Sequence, residues 1–145
     1  MTAQERIYEV ARTERGVHET PGPQCTARIG EYLATVGLSP DDQTAWCSAF
    51  VNWCCQQVGV AGSGKPNARS WLTWGEHVDL DDAQPGDVCV LWRGERHGWQ
   101  GHVGFYVSHG AGLVTLLGGN QHDRVCEASY DLARLLDIRR IPENG

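Results

Sequence analysis

The chain has 145 residues, 41% of them hydrophobic, enough for one compact domain with a buried core. Eighteen acidic against twelve basic residues leave a net charge of −6, and no Lys/Arg run meets a phosphate backbone, so nucleic acid is not expected as a partner. No apolar stretch approaches the roughly 20 residues that span a bilayer, so membrane insertion is not expected either, and the first residues lack the basic and apolar regions of a secretory leader. Eighteen Gly and six Trp point to a loop-rich, aromatic-walled site. The six Cys, without a secretory context and without any CxxC pair, read as thiols rather than as a disulfide framework or a zinc site.

Ile7, Val10 and Ala11 recur at helical spacing over 1–15, and Gly16 stops the pattern before a loop of Thr20, Pro21, Gly22 and Pro23. A second helix over 26–36 carries Ile29, Leu33 and Val36 and ends at Gly37, leading into Ser39, Pro40, Asp41 and Asp42. In the third helix Cys47, Phe50, Val51, Cys54 and Val58 share a face, Gly59 ends the pattern, and Cys47 occupies the first turn. Residues 61–67 read as a flexible surface loop, and 68–74 as a short helical turn carrying Trp71 and Trp74.

From there the period changes to two. After a turn at Pro85-Gly86, residues 87–92 read as a buried strand and 93–101 as a polar loop. His102 opens a strand in which Val103, Phe105 and Val107 alternate with His102, Gly104 and Tyr106, and a turn at 109–112 returns the chain into 113–117 as a hairpin. Shorter strands are expected around 125–127 and over 136–141. Helices followed by strands argue for an α+β fold in a single domain spanning 1–145, with the N-terminal helices packed on an antiparallel sheet.

A thiol attacks only as thiolate, and the unpaired N–H groups of a helix N-terminus favour that charge, so Cys47 is the candidate nucleophile. The same N–H groups suit the oxyanion of a tetrahedral intermediate. Among the histidines, His102 follows a Gly-rich turn and sits at the exposed end of its strand, the position a general base needs. The returning strand leaves its apolar run at Gly118 and Gly119, and antiparallel pairing brings Asn120 level with His102, where an amide oxygen would fix the imidazole tautomer.

The runs Thr-Ala-Trp-Cys-Ser-Ala-Phe-Val-Asn-Trp over 44–53, Gln-Pro-Gly-Asp over 84–87, Gly-His-Val-Gly-Phe-Tyr over 101–106 and Gly-Gly-Asn-Gln over 118–121 together resemble papain-like cell-wall cysteine peptidases of the CHAP and NlpC-type groups. The segments 16–22 and 68–72 look like those of a phage- and bacteria-borne branch. The resemblance implies a papain-like fold and Cys47, His102 and Asn120 as nucleophile, base and third member. That third position varies in the family, so Gln121, His122 and Asp123 stand beside Asn120. Trp46, Trp99 and Gln100 are the candidate substrate-binding residues.

The resemblance further implies peptidoglycan as substrate, hydrolysis of an amide in its stem peptides, and no cofactor. No metal is expected, since Asp79-Leu80-Asp81-Asp82 lacks a calcium-loop pattern. A lysin or antibacterial effector made without a leader would act on the wall or periplasm after lysis or secretion, with a delivery partner or immunity protein as possible associates. Two other readings stay open: a thiol amidase or deamidase acting on a host protein, and a non-catalytic wall-binding module on the same fold.

Overall fold

The computed structural model describes residues 1–20, 26–41 and 45–142. The expected loop residues 21–23, together with Cys25, Asp42 and Thr44, lie outside them. Helix α1 spans Ala3–Thr13 and starts on a capping box: Thr2 Oγ1 accepts from the Glu5 N–H at 3.1 Å while Glu5 Oε1 accepts from the Thr2 N–H at 3.3 Å. Its apolar stripe buries Ile7 and Ala11. Helix α2, Ala27–Ala34, buries Ile29, Tyr32 and Leu33.

Helix α3, Cys47–Gln57, is buried at every position from 47 to 55, so it is the central element rather than an amphipathic surface helix. Its buried polar side chains must therefore find partners inside the protein. Ser48 Oγ donates to the Lys65 carbonyl at 2.7 Å and accepts from Trp71 Nε1 at 2.9 Å, and Asn52 Oδ1 accepts from the Gly64 N–H at 2.8 Å. The segment expected to be a flexible loop is thus pinned at Gly64 and Lys65 to the helix that begins with Cys47. The 3-10 turn Ala68–Thr73 follows it, with Trp71 fully buried.

The second half of the chain forms one six-stranded sheet in the order β1-β6-β2-β3-β4-β5, every neighbouring pair antiparallel. The strands are β1 Glu76–His77, β2 Val88–Trp92, β3 Gly101–Gly110, β4 Leu113–Gln121, β5 Arg124–Asp131 and β6 Leu135–Arg140. Between the helices and the sheet lies the main core, where Ile7, Ile29, Leu33, Phe50, Val103, Phe105 and Leu117 meet. On the other face Cys89, Leu91, Tyr106, Val114, Leu116 and Ile138 form a smaller cluster. The α+β expectation holds, and so does the hairpin of β3 and β4.

Three strands differ from the periodicity reading. β1 has two exposed residues and no apolar signal. β5 runs eight residues rather than three, because a strand at the sheet edge alternates half-buried with exposed positions and carries Arg124, Glu127, Ser129 and Asp131 outward. β4 continues through Gly118 and Gly119 to Gln121, with its register against β5 broken between Gly118 and Gln121. Entry into β2 is held by Asp87, whose fully buried carboxylate accepts from Arg140 Nε and Nη2 at 2.7 Å each and from the Gln84 N–H at 2.8 Å.

Candidate active site

Cys47 is the first residue of α3, as expected, and Trp46 before it makes no side-chain cap, so the first-turn N–H groups are not consumed by a capping side chain. Burial pushes the Cys47 thiol up. Against this, its hydrogen bond to His102, the charge of that ring, and the backbone N–H groups of Val103 and Ser48 all favour the thiolate, and the balance lies below the ordinary cysteine value. The buried thiols elsewhere go the other way: burial raises Cys54 and Cys89 far above it, and Cys55 to about 12. Iodoacetamide at neutral pH is therefore expected to label Cys47 and to spare Cys54, Cys55 and Cys89 until the protein unfolds. As pH falls through the lowered value the thiolate is protonated and the Cys47 rate drops; peptide mapping across pH reads this, with a midpoint below that of an ordinary cysteine.

His102 lies in β3 beside Leu91 of β2 and is buried. Its Nε2 lies 2.8 Å from Gln121 Oε1. The orientation of that amide follows from its other end, where Gln121 Nε2 donates to the carbonyls of Cys126 at 2.7 Å and Leu116 at 3.3 Å. With the NH2 group so committed, Oε1 accepts a hydrogen bond from His102 Nε2–H, and Nδ1 remains for the thiol. The Tyr130 hydroxyl of β5 approaches the same Nε2 at 3.3 Å, and the two rings lie 5.2 Å apart. Burial above all, with Cys126 and Cys47 close by, pushes the Tyr130 phenol up to about 12, so it stays protonated.

The structure therefore brings Gln121, not Asn120, to the imidazole. Plain antiparallel counting from the Phe105–Leu117 pair does set residue 120 across from His102. However, Gly118 pairs with Cys126 and Gln121 with Arg124, so β4 holds one residue more than β5 over this stretch. The extra residue is absorbed where Asn120 takes a φ of 58°, and Gln121 then shares a face with Gly118: a Cβ on Gly118 would lie 2.8 Å from Gln121 Oε1. Replacing Gln121 by alanine is expected to lower kcat about 100-fold or more with little change in KM, whereas Asn120→Ala stays within about threefold. Steady-state kinetics on one wall-derived substrate compares them, and the opposite order would restore Asn120.

A cavity of about 400 Å³ opens beside Cys47 between α3, the 3-10 turn and the loop joining β2 to β3. Trp99, 79% exposed, and Gln100 line it, as the sequence reading expects of groove residues. Trp46 does not. It is fully buried, stacked on Tyr32 and donating from Nε1 to Glu19 Oε2 at 3.1 Å, because β4 crosses it so closely that a Cβ on Gly119 would lie 2.6 Å from its ring. Periodicity also gave no sign of Arg69, whose Nε, Nη1 and Nη2 donate to the carbonyls of Gln100, Arg96 and Glu95 at 2.9, 2.9 and 2.8 Å and hold the β2–β3 loop in shape. Tyr130 was missed for the same reason: it lies far along the chain, in an edge strand with no apolar run.

Residues 39–120 match the CHAP domain family, and no curated protein matches the chain. Among solved structures, the P60 domain of an antigen from Mycobacterium avium subspecies paratuberculosis superposes with a TM-score of 0.62 at 20% identity, covering 98% of this chain and 96% of that one. NlpC1 of Trichomonas vaginalis gives 0.60 at 20%, covering 96% of this chain, which spans 44% of that one. RipD of Mycobacterium tuberculosis, described as a non-catalytic NlpC/p60 domain protein adapted to peptidoglycan binding, gives 0.60 at 15%, covering 98% and 99%. These likenesses are of fold. The sequence match spans more than half the residues, and on it the chain belongs to the CHAP domain family, a family of peptidoglycan-related hydrolases.

Proposed function

We propose that this protein is a thiol hydrolase that cleaves an amide bond in peptidoglycan stem peptides, with Cys47 as nucleophile, His102 as acid and base, and Gln121 holding the imidazole. The observation that carries the reading is the grouping of Cys47, in the lining of a peptide-sized cavity, with His102, which favours its thiolate and whose Nε2 is bonded to Gln121. In the first half-reaction His102 Nδ1 takes the Cys47 proton, sulfur bonds to the carbonyl carbon, and the C–N bond breaks as His102 returns the proton to the leaving amine. First-turn amides of α3 face the developing oxyanion. Water then attacks the thioester with His102 as base, releasing the acid and restoring the thiol. Action at the cell wall, as a phage lysin or an effector delivered from another cell, belongs to the same proposal.

Digestion of purified sacculi, with mass spectrometry of the released fragments, tests it. Stem peptides freed from glycan identify a muramoyl amidase; cuts within stems or cross-links identify an endopeptidase. Intact sacculi with Cys47 still labelled by a thiol probe would move the assignment to a protein-directed amidase, and intact sacculi with an unreactive Cys47 to a binding module of the kind RipD is described as.

A further inference from the structure

We propose that the cavity beside Cys47 selects substrates carrying a free carboxylate close to the scissile amide, and that Arg93 is the residue that reads it. The inference rests on the amide-hydrolase reading and adds a substrate requirement to it. Arg93 follows β2 directly and lines the same cavity as Cys47, Trp99 and Gln100.

Two neighbouring arginines are occupied, and Arg96, on the same loop, does not line the cavity. Arg69 spends its donors on three loop carbonyls, and Arg134 donates to the Trp92 carbonyl at 3.0 Å with its guanidinium over the rings of Trp92 and Tyr130. Among the described residues, the Arg93 guanidinium has no carboxylate or carbonyl partner. Its backbone is held nonetheless, with the Arg93 N–H donating to the Gln100 carbonyl at 3.1 Å and its own carbonyl accepting from the Glu95 N–H at 2.8 Å. A fork of N–H donors suits a planar two-oxygen anion, which an ammonium would meet only as a point charge.

The local field agrees. Arg93 and Arg134 both act electrostatically on Tyr130, the neighbour of His102, so two cations lie beside the site in a chain of net charge −6. Exposed Trp99 supplies an apolar face for the atoms between the carboxylate and the amide.

The test uses two reagents that differ only at one end, N-iodoacetylglycine and N-iodoacetylglycinamide. Each alkylates Cys47 by the same displacement, sulfur bonding to the methylene carbon as iodide leaves. Peptide mapping of the intact protein gives the rate ratio, carboxylate over carboxamide, for Cys47. In Arg93→Gln that ratio is expected to fall about tenfold from wild type, with Arg93→Lys between them and Arg96→Gln, on the same loop, at the wild-type value. Raising salt should shrink the difference.

Equal ratios in wild type and Arg93→Gln would overturn the inference. The readout needs no wall substrate, so the two readings fail separately. Uncut sacculi with an Arg93-dependent ratio would remove the peptidoglycan assignment and keep carboxylate recognition. Cut sacculi with equal ratios would do the reverse.

Discussion

Replacing Cys47 by alanine is expected to lower hydrolysis of a defined wall peptide by a factor of about 10⁴ or more, and His102→Ala to cost nearly as much. The double variant should be no worse than either single one, because the two side chains act as a unit: without the imidazole the thiol lacks its proton acceptor, and without the sulfur the imidazole has nothing to activate. Both residues are buried at the junction of α3 and β3, and neither substitution introduces a larger side chain. The melting temperature of Cys47→Ala should stay within a few degrees of wild type, and that of His102→Ala should fall further, since it leaves a cavity and Gln121 Oε1 without its partner. Retention of more than about 1% of activity in folded Cys47→Ala would exclude covalent thiol catalysis.

The second large effect falls on stability. Asp87→Asn removes the charge from a carboxylate that is fully buried and bonded twice by Arg140 and once by the Gln84 N–H. Breaking a buried pair from one side costs about 3–5 kcal/mol, and the partial exposure of Arg140 trims this to about 2–3 kcal/mol. The pair ties the entry of β2 to β6, and β2 carries β3 with His102 on its other side. Urea unfolding should show the loss, while activity per folded molecule is preserved. A change below about 1 kcal/mol would mean that backbone pairing alone holds the entry of β2.

What was legible in the sequence follows from the range of the forces involved. Helical spacing located α1, α2 and α3 within a few residues, since each buries a face set by the 3.6-residue repeat. It also put Cys47 in the first turn, because the helix N-terminus is a local property. A continuous β-rich run after the Pro85-Gly86 turn located β2, and alternation the β3–β4 hairpin. The edge strands β1 and β5 were short or absent in that reading, because partners rather than apolar alternation make them strands.

The sequence by itself determined the α+β class, the helix that presents the thiol, the strand that presents His102, and the family resemblance that joined them. Only the tertiary structure decided what surrounds that pair. One extra residue in β4 moves the orienting amide from Asn120 to Gln121, a shift that depends on pairing with β5 and leaves no mark in local periodicity. The close crossing at Gly119 buries Trp46, which its neighbourhood in sequence had offered to the groove. Arg69 becomes a loop clamp while Arg93 keeps its donors, although both are arginines in polar segments. In each case the deciding contact joins residues distant along the chain, and a side chain's role there is set by which polar groups the fold has already paired.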